Sequence, residues 1–166
     1  MLERLWAAWR GEYVAGADDK VHDRDACVFC RILSSGLPDD ETYVLWRGKR
    51  VFAILNAYPY TSGHLMVMPL RHIAELEELD DDEADELFAA ARQAVAAVKV
   101  AYDPGGFNLG ANLGRAGGAG IPGHLHLHVL PRWNGDTNFM TAIAETRVLP
   151  ESLPTTWKKL KEAWPS

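Results

Sequence analysis

Only two of the 166 residues are cysteines, Cys27 and Cys30. Two are too few for a disulfide framework, so a reducing cytoplasm is the expected setting. Long hydrophobic runs are also missing. The longest extend over a few residues, far short of the roughly 20 needed to cross a bilayer, and no membrane association is expected. The start, Met1-Leu2-Glu3-Arg4-Leu5-Trp6, lacks the basic stretch and apolar run of a secretory leader. Positive charge is scarce. The net charge of -6 argues against a nucleic-acid binder, which needs basic surface to displace phosphate counterions. A small nucleotide asks only for local donors and stays open. Internal repeats and low-complexity linkers are absent. Apolar residues make up 48% and charged residues 24%, as in a globular protein. The length predicts one domain over residues 1–166, its core at about 27–135 with both terminal segments packed on it.

The pattern along the chain predicts an α+β fold. The Trp-rich first ten residues read as a short helix, residues 13–26 as a loop, and Cys27–Leu33 as a helical turn. Thr42–Trp46 and Arg50–Leu55 read as a hairpin across Gly48-Lys49, and His64–Met68 as a strand stopped by Pro69. Asp80-Asp81-Asp82-Glu83 opens a long helix, since negative charge suits the positive end of the helix dipole. Ala84, Leu87, Phe88, Ala91, Val95, Val98 and Tyr102 give that helix one apolar face. Phe107–Leu113 reads as a strand, and 114–123 as a glycine-dense loop. His124–Leu130 reads as a strand closed by Pro131, and Pro154–Trp164 as a short helix. The order β-β-β-α-β-β with antiparallel connections follows.

The chemistry concentrates in Gly123-His124-Leu125-His126-Leu127-His128-Val129-Leu130. Period-two alternation in a strand puts His124, His126 and His128 on one face and the aliphatics on the other. Three imidazoles on one face suit a nucleophile with neighbours that set its tautomer or donate protons. They also suit a three-histidine metal site. The preceding loop, from Asn112 through Gly120, offers backbone N–H groups with little steric hindrance and favours a phosphate cradle. Cys27-Val28-Phe29-Cys30 has the spacing of half a zinc site. A redox Cys-x-x-Cys is the competing reading, but no thioredoxin-like βαβ pattern surrounds it.

His124-Leu125-His126-Leu127-His128-Val129-Leu130 resembles the signature of the histidine triad superfamily. Asn56, Ser62-Gly63-His64 and Pro69-Leu70-Arg71-His72 resemble its first half. Pro131 to Phe139 resembles the extension of its fragile-histidine-triad-like branch and of its diadenosine tetraphosphate hydrolase or phosphorylase relatives. The resemblance implies a two-layer fold, an antiparallel sheet with one long helix, continued across a homodimer. It implies His126 as the nucleophile that is transiently nucleotidylated, with His128 assisting and His64 behind it. Asn56 would contact the ribose, and Asn112 and Gly120 would lie near the phosphates. Cys27, Cys30, His72 and His124 would hold a structural zinc, and a divalent cation would accompany the substrate. The implied activity is hydrolysis of diadenosine polyphosphates. The alternatives are a phosphorylase, a nucleoside phosphoramidase, or a binding module that senses dinucleotides. One departure stands out: Gly120-Ile121-Pro122-Gly123 carries no hydroxyl or amide side chain, where family members often aim one at the leaving group.

Overall fold

The computed structural model describes residues 24–136 and 150–165. The readings of the first ten residues, of most of the 13–26 loop and of Thr137 to Phe139 lie outside them. In chain order come α1 (Val28–Ser34), α2 (Asp39–Thr42), β1 (Val44–Arg47), β2 (Val51–Leu55) and β3 (Leu65–Pro69). A single 3-10 turn, Leu76–Glu78, precedes α3 (Asp81–Tyr102), β4 (Gly106–Gly110), β5 (Leu127–Arg132) and α4 (Leu153–Ala163). The strands form one antiparallel sheet in the order β1-β2-β3-β5-β4. No described helix is long and apolar enough to cross a membrane.

Helix α3 starts at a capping box. The Asp80 side chain accepts from the Glu83 N–H at 2.8 Å, and Glu83 returns the bond to the Asp80 N–H at 3.1 Å. Asp103, in the left-handed region at φ 44°, ends it. The residues facing the sheet are Leu87, Ala90, Ala91, Ala94, Ala97 and Val98, whereas Phe88 is 66% exposed. The apolar face is therefore rotated from the expected one. Three alanines outside the expected set, Ala90, Ala94 and Ala97, allow close approach to Leu65, Val67 and Val129. The C-terminal helix docks on β1, where Trp157 Nε1–H donates to the Val44 carbonyl at 2.9 Å and Trp164 stacks on Trp46.

Most boundaries shift by a residue or so from expectation, and β4 ends at Gly110 instead of Leu113; two shifts have a visible cause. Thr42 closes helix α2 instead of opening a strand, because its hydroxyl donates to the Pro38 carbonyl at 3.1 Å and Tyr43 turns the chain at φ 60°. The histidine strand begins at Leu127, not His124, and runs through Pro131 to Arg132. On β3 the Pro69 carbonyl, which a longer ladder would use, accepts from the His124 ring, and the Leu125 N–H goes instead to the Ile73 carbonyl at 2.7 Å. Pro131 is tolerated because its polar edge faces away from a strand partner. Its carbonyl accepts from the Thr61 hydroxyl at 3.0 Å, on the side where β3 has already ended its pairing at Leu65–Val129.

Candidate active site and metal centre

Although only His128 lies in the ladder, the three triad rings stay on one side of the sheet. The His126 and His128 centroids are 5.0 Å apart, and Phe29 touches the rings of both His124 and His126. Met66, opposite His128 across β3–β5, belongs to this same side, whose cluster also holds Phe52, Ile54 and Met68. All three triad histidines are largely withdrawn from water. Burial is the main reason that His126 is held below its ordinary value, and that His124 and His128 are pushed down to about 4. Each ring is therefore neutral at pH 7 and carries one proton, on one of two nitrogens.

The hydrogen bonds assign that proton. A carbonyl can only accept, so the 2.7 Å contact from His126 Nδ1 to the His124 carbonyl places the proton on Nδ1 and leaves a lone pair on Nε2. By the same rule His124 Nε2–H donates to the Pro69 carbonyl at 2.8 Å, and its Nδ1 carries the lone pair. His64 is set from the other direction. The Tyr60 backbone N–H donates to His64 Nδ1 at 3.1 Å, with the Asn56 amide 3.4 Å from the same atom, so His64 is protonated on Nε2. His64 Nε2–H then donates to His128 Nδ1 at 3.0 Å, which leaves the His128 proton on Nε2. The result is a bare nitrogen on His126 beside an N–H donor on His128.

The two cysteines face the other end of the triad. Cys27, Cys30, His72 and His124 each offer one donor atom, and these atoms lie within 4.8 Å of one another. His124 Nδ1 is 3.5 Å from Cys27 Sγ and 3.7 Å from Cys30 Sγ, and His72 Nδ1 is 3.4 Å from Cys30 Sγ. A tetrahedral centre with metal–sulfur bonds of about 2.3 Å and metal–nitrogen bonds of about 2.0 Å has sulfur–nitrogen edges of roughly 3.5 Å. The donors thus fit a four-coordinate metal. Burial, and then the Cys27 thiol beside it, push Cys30 up to about 11, so a bound cation is what would make Cys30 a thiolate.

The remaining expected residues have local partners. Asn56 also accepts from the Tyr58 N–H at 2.9 Å, so both ends of its amide are engaged in the turn that carries His64. The Asn112 amide donates to the Gly118 carbonyl at 3.4 Å. Within that loop Gly118 N–H and Ala119 N–H close on the Arg115 and Gly114 carbonyls, and Gly120 is exposed. A Cβ at Gly117 would come within 2.3 Å of the Leu113 carbonyl oxygen, so the tight loop needs glycine there. Arg132 is held by Asp136 and by Asn108. The residues without an advance signal are Phe29, Tyr60 and the carbonyl of Pro69. Phe29 stood inside the Cys-x-x-Cys, but neither period nor spacing marks an aromatic as a neighbour of a residue 97 positions away.

Comparison with known proteins bears on this geometry. The HIT domain family matches residues 38–135. The AP-4-A phosphorylase of Mycobacterium tuberculosis is 44% identical over 98% of this chain and 85% of its own length. A zinc-bound histidine triad family protein from Mycobacterium smegmatis has a TM-score of 0.68 and 27% identity, covering 84% of this chain and 94% of that one. A histidine triad nucleotide-binding protein from Sulfolobus tokodaii has a TM-score of 0.68 and 30% identity, covering 82% and 91%.

Proposed function

The chain belongs to the HIT domain family, and on that premise we propose that it is a diadenosine polyphosphate phosphorylase working through a nucleotidyl-His126 intermediate. The observation that carries His126 as nucleophile is its Nδ1–H bond to the His124 carbonyl, which leaves Nε2 unprotonated in a buried, neutral ring. Phosphate, in place of the water expected from the sequence, is the preferred acceptor on the likeness to the Mycobacterium tuberculosis enzyme.

His126 Nε2 attacks the α-phosphorus, a phosphorus–nitrogen bond forms, and the bond to the bridging oxygen breaks. For diadenosine tetraphosphate the leaving group is ATP. His128, neutral and protonated on Nε2, supplies the donor that stabilises charge on the phosphoryl or leaving oxygen. That donor compensates for the missing hydroxyl or amide at Gly120 to Gly123. An oxygen of inorganic phosphate then attacks the same phosphorus, the phosphorus–nitrogen bond breaks, and ADP leaves with His126 neutral again. His64 and Asn56 position His128 by keeping its Nδ1 an acceptor.

Cys27, Cys30, His72 and His124 would hold zinc with no open position, which supplies structural cross-linking and not Lewis-acid chemistry. The protein would act as a two-fold dimer through α3 and β4. Phe88, Val100 and Leu109 are exposed there, and Phe88, Ala91, Val95 and Leu109 line an apolar hollow of about 320 Å³.

Incubation of the purified chain with diadenosine tetraphosphate, with and without inorganic phosphate, tests the reading. ATP plus ADP formed only with phosphate is the expected result. ATP plus AMP without phosphate would make the chain a hydrolase, and binding without turnover would make it a sensor.

A further inference from the structure

The second variable residue of the Cys-x-x-Cys sits against the reacting ring. Phe29 lies in the first turn of α1, and only 4% of its surface is exposed. Its ring meets His124 edge-on, with centroids 5.4 Å apart and planes at 81°. It meets His126 at 5.7 Å and 58°. These two imidazole residues are joined by the His126 Nδ1–H bond to the His124 carbonyl, and Phe29 packs against the rings of both. A single hydrogen bond is a pivot and leaves the ring free to twist about it. Contact with Phe29 and with the near-perpendicular His128 ring restricts that freedom. Phe29 is itself held in the cluster of Val44, Phe52, Ile54, Met66 and Met68, so the wall it forms is rigid.

We propose that Phe29 is a positioning residue for His126: its ring confines the nucleophilic imidazole so that Nε2 keeps one direction of attack through both half-reactions. The turn that carries two sulfur donors would thereby also form one wall of the nucleophile's seat. The inference rests on His126 being the nucleophile, as proposed above. Orientation of a reacting atom is worth large factors, and a misplacement of about 1 Å costs on the order of 100-fold in rate.

The test compares Phe29→Ala and Phe29→Leu with the unaltered protein in the full, metal-loaded chain. Steady-state turnover of diadenosine tetraphosphate with phosphate is measured together with metal content and melting temperature. In parallel, the His126 Nδ1–H proton is followed by NMR, assigned by its loss in His126→Asn. The expected result is a kcat lower by roughly 10- to 100-fold in Phe29→Ala, with KM within about twofold. The Nδ1–H signal should broaden or exchange faster, and Phe29→Leu, which restores volume but not the flat wall, should lie between. A Phe29→Ala protein that loses stability but keeps kcat and the Nδ1–H signal would reduce Phe29 to core packing. If its loss of kcat is reversed by adding zinc, the effect runs through the metal and the proposal fails. Should the unaltered protein show no turnover at all, the assignment of function is wrong, while the NMR comparison still decides whether Phe29 restrains the ring.

Discussion

The two faces of the sheet are buried to similar depth and built on opposite principles. The face against α3 is aliphatic, with Val51, Ala53, Leu55, Leu65, Val67 and Val129 meeting Leu87 and a row of alanines. Its buried members are all aliphatic, so matched volume is what they need. The opposite face mixes Phe29, Phe52, Met66 and Met68 with cysteines and imidazoles. His124 is wholly buried there and His126 is 5% exposed, yet each finds a main-chain carbonyl. Burying a polar group costs stability unless it is hydrogen-bonded. Those bonds offset the cost and, as a by-product, choose the tautomer. One face is therefore built for packing and the other holds the polar groups on which the proposed chemistry rests, and a substitution on either should reveal the difference.

The largest effect should come from His126→Asn. Turnover should fall by several orders of magnitude, on the scale of deleting a nucleophile, with dinucleotide affinity retained. Turnover and binding titration on the same preparation check this, and near-normal turnover would remove the covalent mechanism. Leu65→Ala, on the aliphatic face, should do the reverse. It should lower stability by about 2–5 kcal/mol in denaturant unfolding, with kcat per folded molecule nearly unchanged.

Glu83→Gln probes the joint between the faces. Glu83 on α3 is buried and takes a two-pronged bond from Arg71, next to His72 of the Cys/His cluster. Loss of the charge should cost about 1–2 kcal/mol in the same unfolding experiment. A change in metal content as well would show that α3 supports the metal loop.

A further test is a pH slope to which the imidazole face contributes. His128 is pushed down to about 4 by burial, and then by His126 beside it, against an ordinary value of 6.5. Between those values the unfolded chain takes up a proton that the folded chain refuses. Stability should therefore fall as pH drops from 6.5 to about 4 and level off for this group below that. The Arg71 side chain holds Glu83 below the carboxylate range, so its contribution is present above about 4.5 and lost only at lower pH. Melting temperatures of His128→Asn and Leu65→Ala across this range separate the faces. The first should reduce the slope without abolishing it, because His124 and His126 are also held down, and the second should only lower the curve.

Much of the site was legible in advance because it is written as local period and residue type. Alternation alone put His124, His126 and His128 on one side, the spacing of Cys27 and Cys30 marked half a metal site, and the family resemblance added His72 and His124, which the structure gathers with them. The helix from Asp81 was marked by its acids and its step of three and four. The errors arose where a distant partner intervened. Period two extended the histidine strand back to His124, but the Pro69 carbonyl, 55 residues earlier, is taken by the His124 ring and the ladder stops at Leu127. Phe88 carried the right step for the core, yet the alanine row fits closer to the sheet and turns Phe88 outward.

The chain's own order of residues determined which side chains share a face, where the long helix runs and which donor types were available for a metal and a nucleophile, because these depend on backbone geometry repeated every two or 3.6 residues. Tertiary structure alone decided which nitrogen of each imidazole holds the proton, since that depends on the carbonyl or N–H it meets: Pro69 for His124, the His124 backbone for His126, Tyr60 for His64 and, through it, His128. It also decided that Phe29 stands against His126. A contact between residues 97 positions apart leaves no trace in local pattern, because it exists only once packing has brought α1 against the triad.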